Sequence, residues 1–172
     1  RVQQSHSSSS SIRPLCMYAT AGSIEDFFNN FLAYVDSDVN CQDPENSNKA
    51  PLHCAAYNGH LAMIEFLTMI NGIDLNIVDA NKDTPLSIAV QLRHRDVVKL
   101  LINSKGINPN IQNQYGATPL HYATVMQEVE IVKILLSSKD IDVTIKDLYG
   151  HTAFEMAQQK KNAEIIQLLK PC

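Results

Sequence analysis

Apolar residues recur along this chain as adjacent pairs three positions apart. Met63-Ile64 precedes Phe66-Leu67, Val97-Val98 precedes Leu100-Leu101, Ile131-Val132 precedes Ile134-Leu135, and Ile165-Ile166 precedes Leu168-Leu169. Such doublets fall on one face of a helix, and they return every 34 residues. Each is preceded by an anchor: Ala50-Pro51-Leu52-His53, Thr84-Pro85-Leu86, Thr118-Pro119-Leu120-His121 and Thr152-Ala153-Phe154, with Arg13-Pro14-Leu15-Cys16 another 37 residues upstream. Ala55, Ala89, Ala123 and Ala157 keep the same register, as do Asp79, Asn113 and Asp147.

The anchors predict a first helix in every unit. Proline suits the first helical turn, where its missing N–H costs nothing, and Thr84 and Thr118 supply capping hydroxyls. The doublets predict a second helix. Neither is long enough to be stable alone, so each unit has to bury its face against its neighbours, and at least about three units are needed.

The Thr-Pro-Leu-His-x-Ala stretch, complete at Thr118–Ala123, resembles the ankyrin repeat. The resemblance covers about 13–172 in five units, about 13–47, 48–81, 82–115, 116–149 and 150–172, the first and last atypical. It implies an all-α solenoid of stacked helix-turn-helix units with hairpin-like turns. Each unit is one residue longer than the family's usual one, an excess placed in the loops around Ile73, Ile107 and Ile141. The anchors depart where Ala50 replaces Thr, Ala153 replaces Pro, and Ser87 and Glu155 replace His; these changes are expected to weaken individual caps and loop hydrogen bonds.

At the ends the pattern loosens. Residues 1–12 are Ser-rich and read as a flexible tail or an appended remnant. In the first unit Phe27, Phe28, Phe31 and Tyr34 are unusually aromatic. Phe27, Phe31 and Tyr34 make a helical stripe expected to pack inward, and Phe28, off that stripe, is a candidate contact. The loop 36–49 is polar and longer than its successors. The last doublets are as apolar as internal ones, so that end either exposes apolar surface or is covered by something else.

Composition adds exclusions. A net charge of −4 over 172 residues argues against nucleic acid, which needs clustered Lys and Arg, and no apolar run is long enough for a membrane span. Cys16, Cys41, Cys54 and Cys172 have neither disulfide-scaffold nor CxxC spacing, so free thiols in a reducing compartment are expected. A monomer in the cytoplasm follows as the simplest expectation.

Catalytic chemistry finds no support. The six glycines sit on the repeat as turn residues, leaving none for a phosphate-binding loop. His53 and His121 lie two periods apart, and His60 and His94 one period apart. His53 beside Cys54 brings a nucleophile–base pair to mind, but neighbours on a helix point in different directions. No metal-ligand spacing and no cofactor motif occurs. The expectation is therefore no enzyme, no metal and no cofactor.

What the resemblance implies instead is a concave face lined by turn tips and the ends of the first helices, binding another protein. Mapped onto this chain, the tips bring Asn81 and Asp83, Gln114 and Tyr115, and Leu148, Tyr149 and His151; the helix ends bring Tyr57 and Asn58, Gln91 and Leu92, and Val125 and Met126. Aromatic and Met enrichment is typical of a contact core, and Val125 and Leu148 carry most weight. Tyr115 and Tyr149, and Leu92 and Met126, share lattice positions, and packing on neighbouring turns explains them equally. Asn40, within Asp38-Val39-Asn40, resembles the stretch that asparaginyl hydroxylases modify in ankyrin proteins, or else it bonds the loops as Asn76 and Asn110 would. The function expected is a non-catalytic protein-binding module or adaptor. The alternative is a targeting or regulatory segment of a larger protein, such as an enzyme or a bacterial effector acting in a host cell.

Overall fold

The computed structural model describes residues 9–33 and 38–170. These form ten α-helices in order: α1 (Ser9–Ala21), α2 (Ile24–Ala33), α3 (Pro51–Asn58), α4 (Leu61–Thr68), α5 (Pro85–Gln91), α6 (Arg95–Ile102), α7 (Pro119–Val125), α8 (Val129–Leu136), α9 (Ala153–Lys160) and α10 (Ala163–Leu169). The odd-numbered helices pack side by side as one layer, and α4, α6, α8 and α10 form the second. The core runs unbroken between them, from Leu15 and Phe27 through Leu52, Ile64, Leu86, Val98, Leu120 and Val132 to Ile165 and Leu169. Every alanine of the register (Ala55, Ala89, Ala123, Ala157) is fully buried, because only a small side chain fits where the helices of the inner layer meet.

The helix starts follow the anchors. α3, α5 and α7 each begin on the predicted proline. The expected weakening occurs at Ala50, which has no side-chain oxygen to cap α3 where Thr84 and Thr152 cap theirs, but the bond to the anchor N–H survives every replacement. One side chain three residues on accepts from the anchor N–H in all four: His53 Nδ1 from Ala50 (3.1 Å), Ser87 Oγ from Thr84 (3.0 Å), His121 Nδ1 from Thr118 (3.1 Å) and Glu155 Oε2 from Thr152 (2.8 Å). Imidazole, hydroxyl and carboxylate are all acceptors of suitable reach. What the replacements lose is a second arm. His53 Nε2 also reaches the Asp83 carbonyl (3.0 Å) and His121 Nε2 the His151 carbonyl (3.1 Å), tying successive units. With Nδ1 accepting, Nε2 carries the proton and donates.

α1 begins at Ser9, inside the stretch expected as a tail; residues 1–8 lie outside the described residues, as do Tyr34 and Cys172. Of the aromatic stripe, Phe27 is buried and Phe31 half-buried, stacked at 6.2 Å between centroids. Phe28 stays exposed, edge-on to Phe66 at 6.1 Å. In α10, Ile165 and Leu169 are buried and Ile166 and Leu168 pack half-buried against the core.

Candidate functional site

The turn tips are bonded to one another. Ala80 N–H donates to Ser47 O (2.9 Å), Gln114 N–H to Asn81 O (3.0 Å) and Leu148 N–H to Tyr115 O (3.1 Å), so the tips run as a continuous row. Inside each tip a carboxamide or carboxylate organises the turn: Asp79, Asn113 and Asp147 each accept two backbone N–H groups through Oδ1. The tip at Asp79 and Asp83 shares a hollow with Tyr57 at the end of α3 and with Gln91 and Leu92 at the end of α5.

Along this inner face the apolar residues singled out above remain largely in solvent. Tyr57 is 54% exposed, Tyr115 53%, Leu148 72% and Tyr149 79%. Leu92 and Val125 are also exposed, while Met126 is half-buried and packs against the core. Asn58, Asn81 and Gln114 are exposed and Gln91 half-buried. His151 is half-buried, its Nδ1 3.9 Å from Asp147 Oδ1. The lattice pairs therefore divide: Tyr115 and Tyr149 both keep their rings in solvent, whereas Met126 packs in part against the core and Leu92 stays exposed.

Asp83, expected at an exposed tip, is buried (8% exposed), as is Asp79 (6%). The reason lies in the next unit. Asn113 Nδ2 reaches Asp83 Oδ1 (3.2 Å) and the Tyr122 hydroxyl (2.7 Å), closing over the carboxylate. Ser87 Oγ (2.9 Å) and Gln91 Nε2 (3.0 Å) donate to the same oxygen. Burial pushes the Asp83 carboxyl above the usual carboxylate range, and these donors hold it partly back. This network substitutes for the cross-unit arm that Ser87 is too short to supply.

A hollow of about 130 Å³ opens here, with Lys49, Tyr57, Asn81, Gln91 and Leu92 around Asp79 and Asp83. The Lys49 ammonium lies 5.8 Å from the Tyr57 ring centroid. Two larger hollows continue toward the first unit: about 320 Å³ bordered by Thr20, Asn46, Lys49, Cys54, Tyr57 and Asn58, and about 510 Å³ between the end of α1 and the tip at Asp43, Glu45 and Asn46. Lys49, Met17 and Thr20 escaped the sequence reading because the irregular spacing of the first unit hid its inner face.

His53 and Cys54, the pair singled out in the sequence, are bonded to other groups. Both ring nitrogens of His53 are bonded to backbone, so it offers no base to Cys54, whose Sγ accepts instead from Asn46 Nδ2 (3.8 Å). Burial pushes His53 and His121 below the usual histidine range. His60 Nε2 meets Thr20 O (2.7 Å) and His94 Nε2 meets Tyr57 O (3.1 Å), again tying units. Cys16, Cys41 and Cys54 are free thiols; burial raises Cys41 to about 11. Asn40 donates to Gly72 O (2.8 Å) and accepts from Asp74 N–H (2.7 Å), bridging to the next unit's loop, and Asn76 and Asn110 repeat the bridge.

No helix among the described residues is long and apolar enough to cross a membrane. A family model described as ankyrin repeats, in three copies, matches residues 15–113, 52–147 and 105–172. No curated protein matches the chain at a significant level.

Proposed function

The chain belongs to the ankyrin-repeat family, whose repeats generally serve as protein–protein interaction modules, and we propose that it works as a non-catalytic binding module holding a partner protein against the inner face. The observation that carries this is the exposure of Tyr57, Leu92, Tyr115, Val125, Leu148 and Tyr149 along one bonded row of tips and helix ends. Stacking needs none of them in solvent, and covering a large apolar side chain stabilises by about 1.5–3 kcal/mol before ordering costs. Because the tips are held by backbone bonds before any partner arrives, little conformational entropy is lost on docking. A partner with a mixed, mainly apolar contact surface fits this face. The free thiols support a cytoplasmic setting.

The test is retention of a partner by the wild type and by a Tyr115→Ala/Val125→Glu/Leu148→Ser variant whose fold is verified by thermal melt. The proposal expects the variant to lose the partner. Equal retention would place binding elsewhere, the first alternative being the exposed Phe28, Leu32 and Met69 on α2 and α4 and the turn after α4.

A further inference from the structure

Cys16 stands in the last position of its anchor, where later units carry His53, Ser87, His121 and Glu155. It keeps the cross-unit arm of the histidines: its Sγ lies 3.4 Å from Lys49 O, as His53 Nε2 reaches Asp83 O and His121 Nε2 reaches His151 O. That arm aims the thiol at the second unit, where Cys54 follows the next anchor. The two thiols are in hydrogen-bonding contact across the packed helices α1 and α3. At later junctions the same two positions hold His53 with Ile88, Ser87 with Tyr122 and His121 with Met156. Among the described residues, this is the junction where the lattice brings two thiols together.

The two sulfurs are not equivalent. Cys16 has one proton and two acceptors in reach, Lys49 O and Cys54 Sγ. Cys54 Sγ also accepts from Asn46 Nδ2 (3.8 Å). The bond from Cys16 holds Cys54 below the usual thiol range, against burial and with help from the Lys49 ammonium, while Asp43 opposes it. The same bond, together with burial, pushes Cys16 up. Cys54 is therefore the sulfur that ionises, and the thiolate is the nucleophile. Both side chains are buried, which closes them to the thiols of other proteins. Each nevertheless borders a hollow, about 510 Å³ beside Cys16 and about 320 Å³ beside Cys54, and both hollows reach Thr20 and Asn46. A water takes up about 30 Å³, so a small peroxide fits either.

We propose that Cys16 and Cys54 are an oxidisable pair, converted by hydrogen peroxide into a disulfide that staples α1 of the first unit to α3 of the second. The Cys54 thiolate attacks one peroxide oxygen: an S–O bond forms, the O–O bond breaks, and the departing hydroxide takes a proton and leaves as water. Cys54 is then a neutral sulfenic acid, so the thiolate that held the Cys16 proton is gone. Cys16 loses that proton and attacks the Cys54 sulfur; the S–S bond forms, the S–O bond breaks, and a second water leaves. Two thiols are oxidised, one peroxide is reduced to two waters, and a dithiol reductant reverses the change.

The test exposes the folded, reduced full chain to equimolar hydrogen peroxide, blocks remaining thiols with iodoacetamide, and maps the unreduced peptides by mass spectrometry. The expected product is a linked pair of peptides carrying Cys16 and Cys54, lost on adding dithiothreitol, with Cys41 and Cys172 alkylated. In Cys16→Ser, with no second thiol to resolve it, Cys54 should persist as a sulfenic acid trapped by dimedone. In Cys54→Ser, peroxide consumption should slow about tenfold or more. The link in the unaltered chain needs no variant, so the inference stays testable if either substitution fails to fold. Oxidation first at Cys41 or Cys172 with Cys16 and Cys54 still reduced, or a Cys16–Cys54 link formed only after unfolding in urea, would overturn it.

Discussion

Replacing Gly59 by arginine puts a side chain where the turn between α3 and α4 meets the next unit. Gly59 has φ +67°, and a Cβ built there lies 2.7 Å from His94 Nδ1 and 2.8 Å from its Cε1. The left-handed backbone alone is bearable: Arg93, Gln127 and Lys161 occupy the same lattice position with φ of +61°, +58° and +56°. Its cost is about 1 kcal/mol. The contact with His94 is the larger problem, because moving that ring breaks its bond to Tyr57 O (3.1 Å), worth about 0.5–1.5 kcal/mol. The single variant should therefore lose about 2 kcal/mol.

One unit further on, the chain shows how the clash is avoided. Arg93 stands in the glycine position, and Glu128 stands where the histidine would be. Its carboxylate takes Arg93 Nε at 3.0 Å and Arg95 at 3.0 Å. At the last junction Gln127 is matched by Asn162, 3.4 Å away. The two positions thus change together. Gly59→Arg combined with His94→Glu should recover about 1 kcal/mol of the summed single losses, measured as the coupling term of a double-mutant cycle in urea denaturation. Additivity within about 0.3 kcal/mol would refute the reasoning.

Other outcomes follow from single contacts. Thr124 is fully buried in α7 and its hydroxyl has no partner among the described residues, where the preceding unit has buried Val90; Thr124→Val should stabilise by about 1 kcal/mol in the same denaturation assay. Gly116→Ala should cost about 2 kcal/mol or more, since φ is +69° and the new Cβ would sit 2.8 Å from Leu148 N, whereas Gly150→Ala, with open space around it, should cost only about 1 kcal/mol. His53 and His121 have folded pKa values below the unfolded value of about 6.5. Their contribution is intact above that value and is lost as pH falls through it, at up to about 1.4 kcal/mol per pH unit for each histidine, levelling off below the folded pKa. Denaturation midpoints between about pH 7 and 5 should show the decline, and His53→Gln with His121→Gln should flatten it.

Much of this was legible from sequence because a repeat exposes its own constraints. Positions that must be small, apolar or left-handed recur at a fixed interval, so Ala55, Leu52 and Pro51 identify their counterparts down the chain. Contacts between units were less legible. Asp83 reads as a polar tip residue, since Lys49, Ala117 and His151 share its position; its burial comes from Asn113, thirty residues away, folding over it. Likewise Val78 is exposed where Gln42 and Gln112 reach forward to carbonyls of the next tip (2.7 and 2.9 Å). The missing Gln arm and the missing His arm fall at one junction, which is where the buried aspartate network appears. The first unit resisted because its 37-residue spacing and longer loop shift every position against the lattice.

The most direct measurement is hydrogen exchange on the chain with and without its bound partner. The account predicts added protection at the tips 79–83, 113–117 and 147–151 and at the last turns of α3, α5 and α7, with the outer helices unchanged. Protection confined to α2, α4 and Met69, with the tips exchanging as in the free chain, would contradict it.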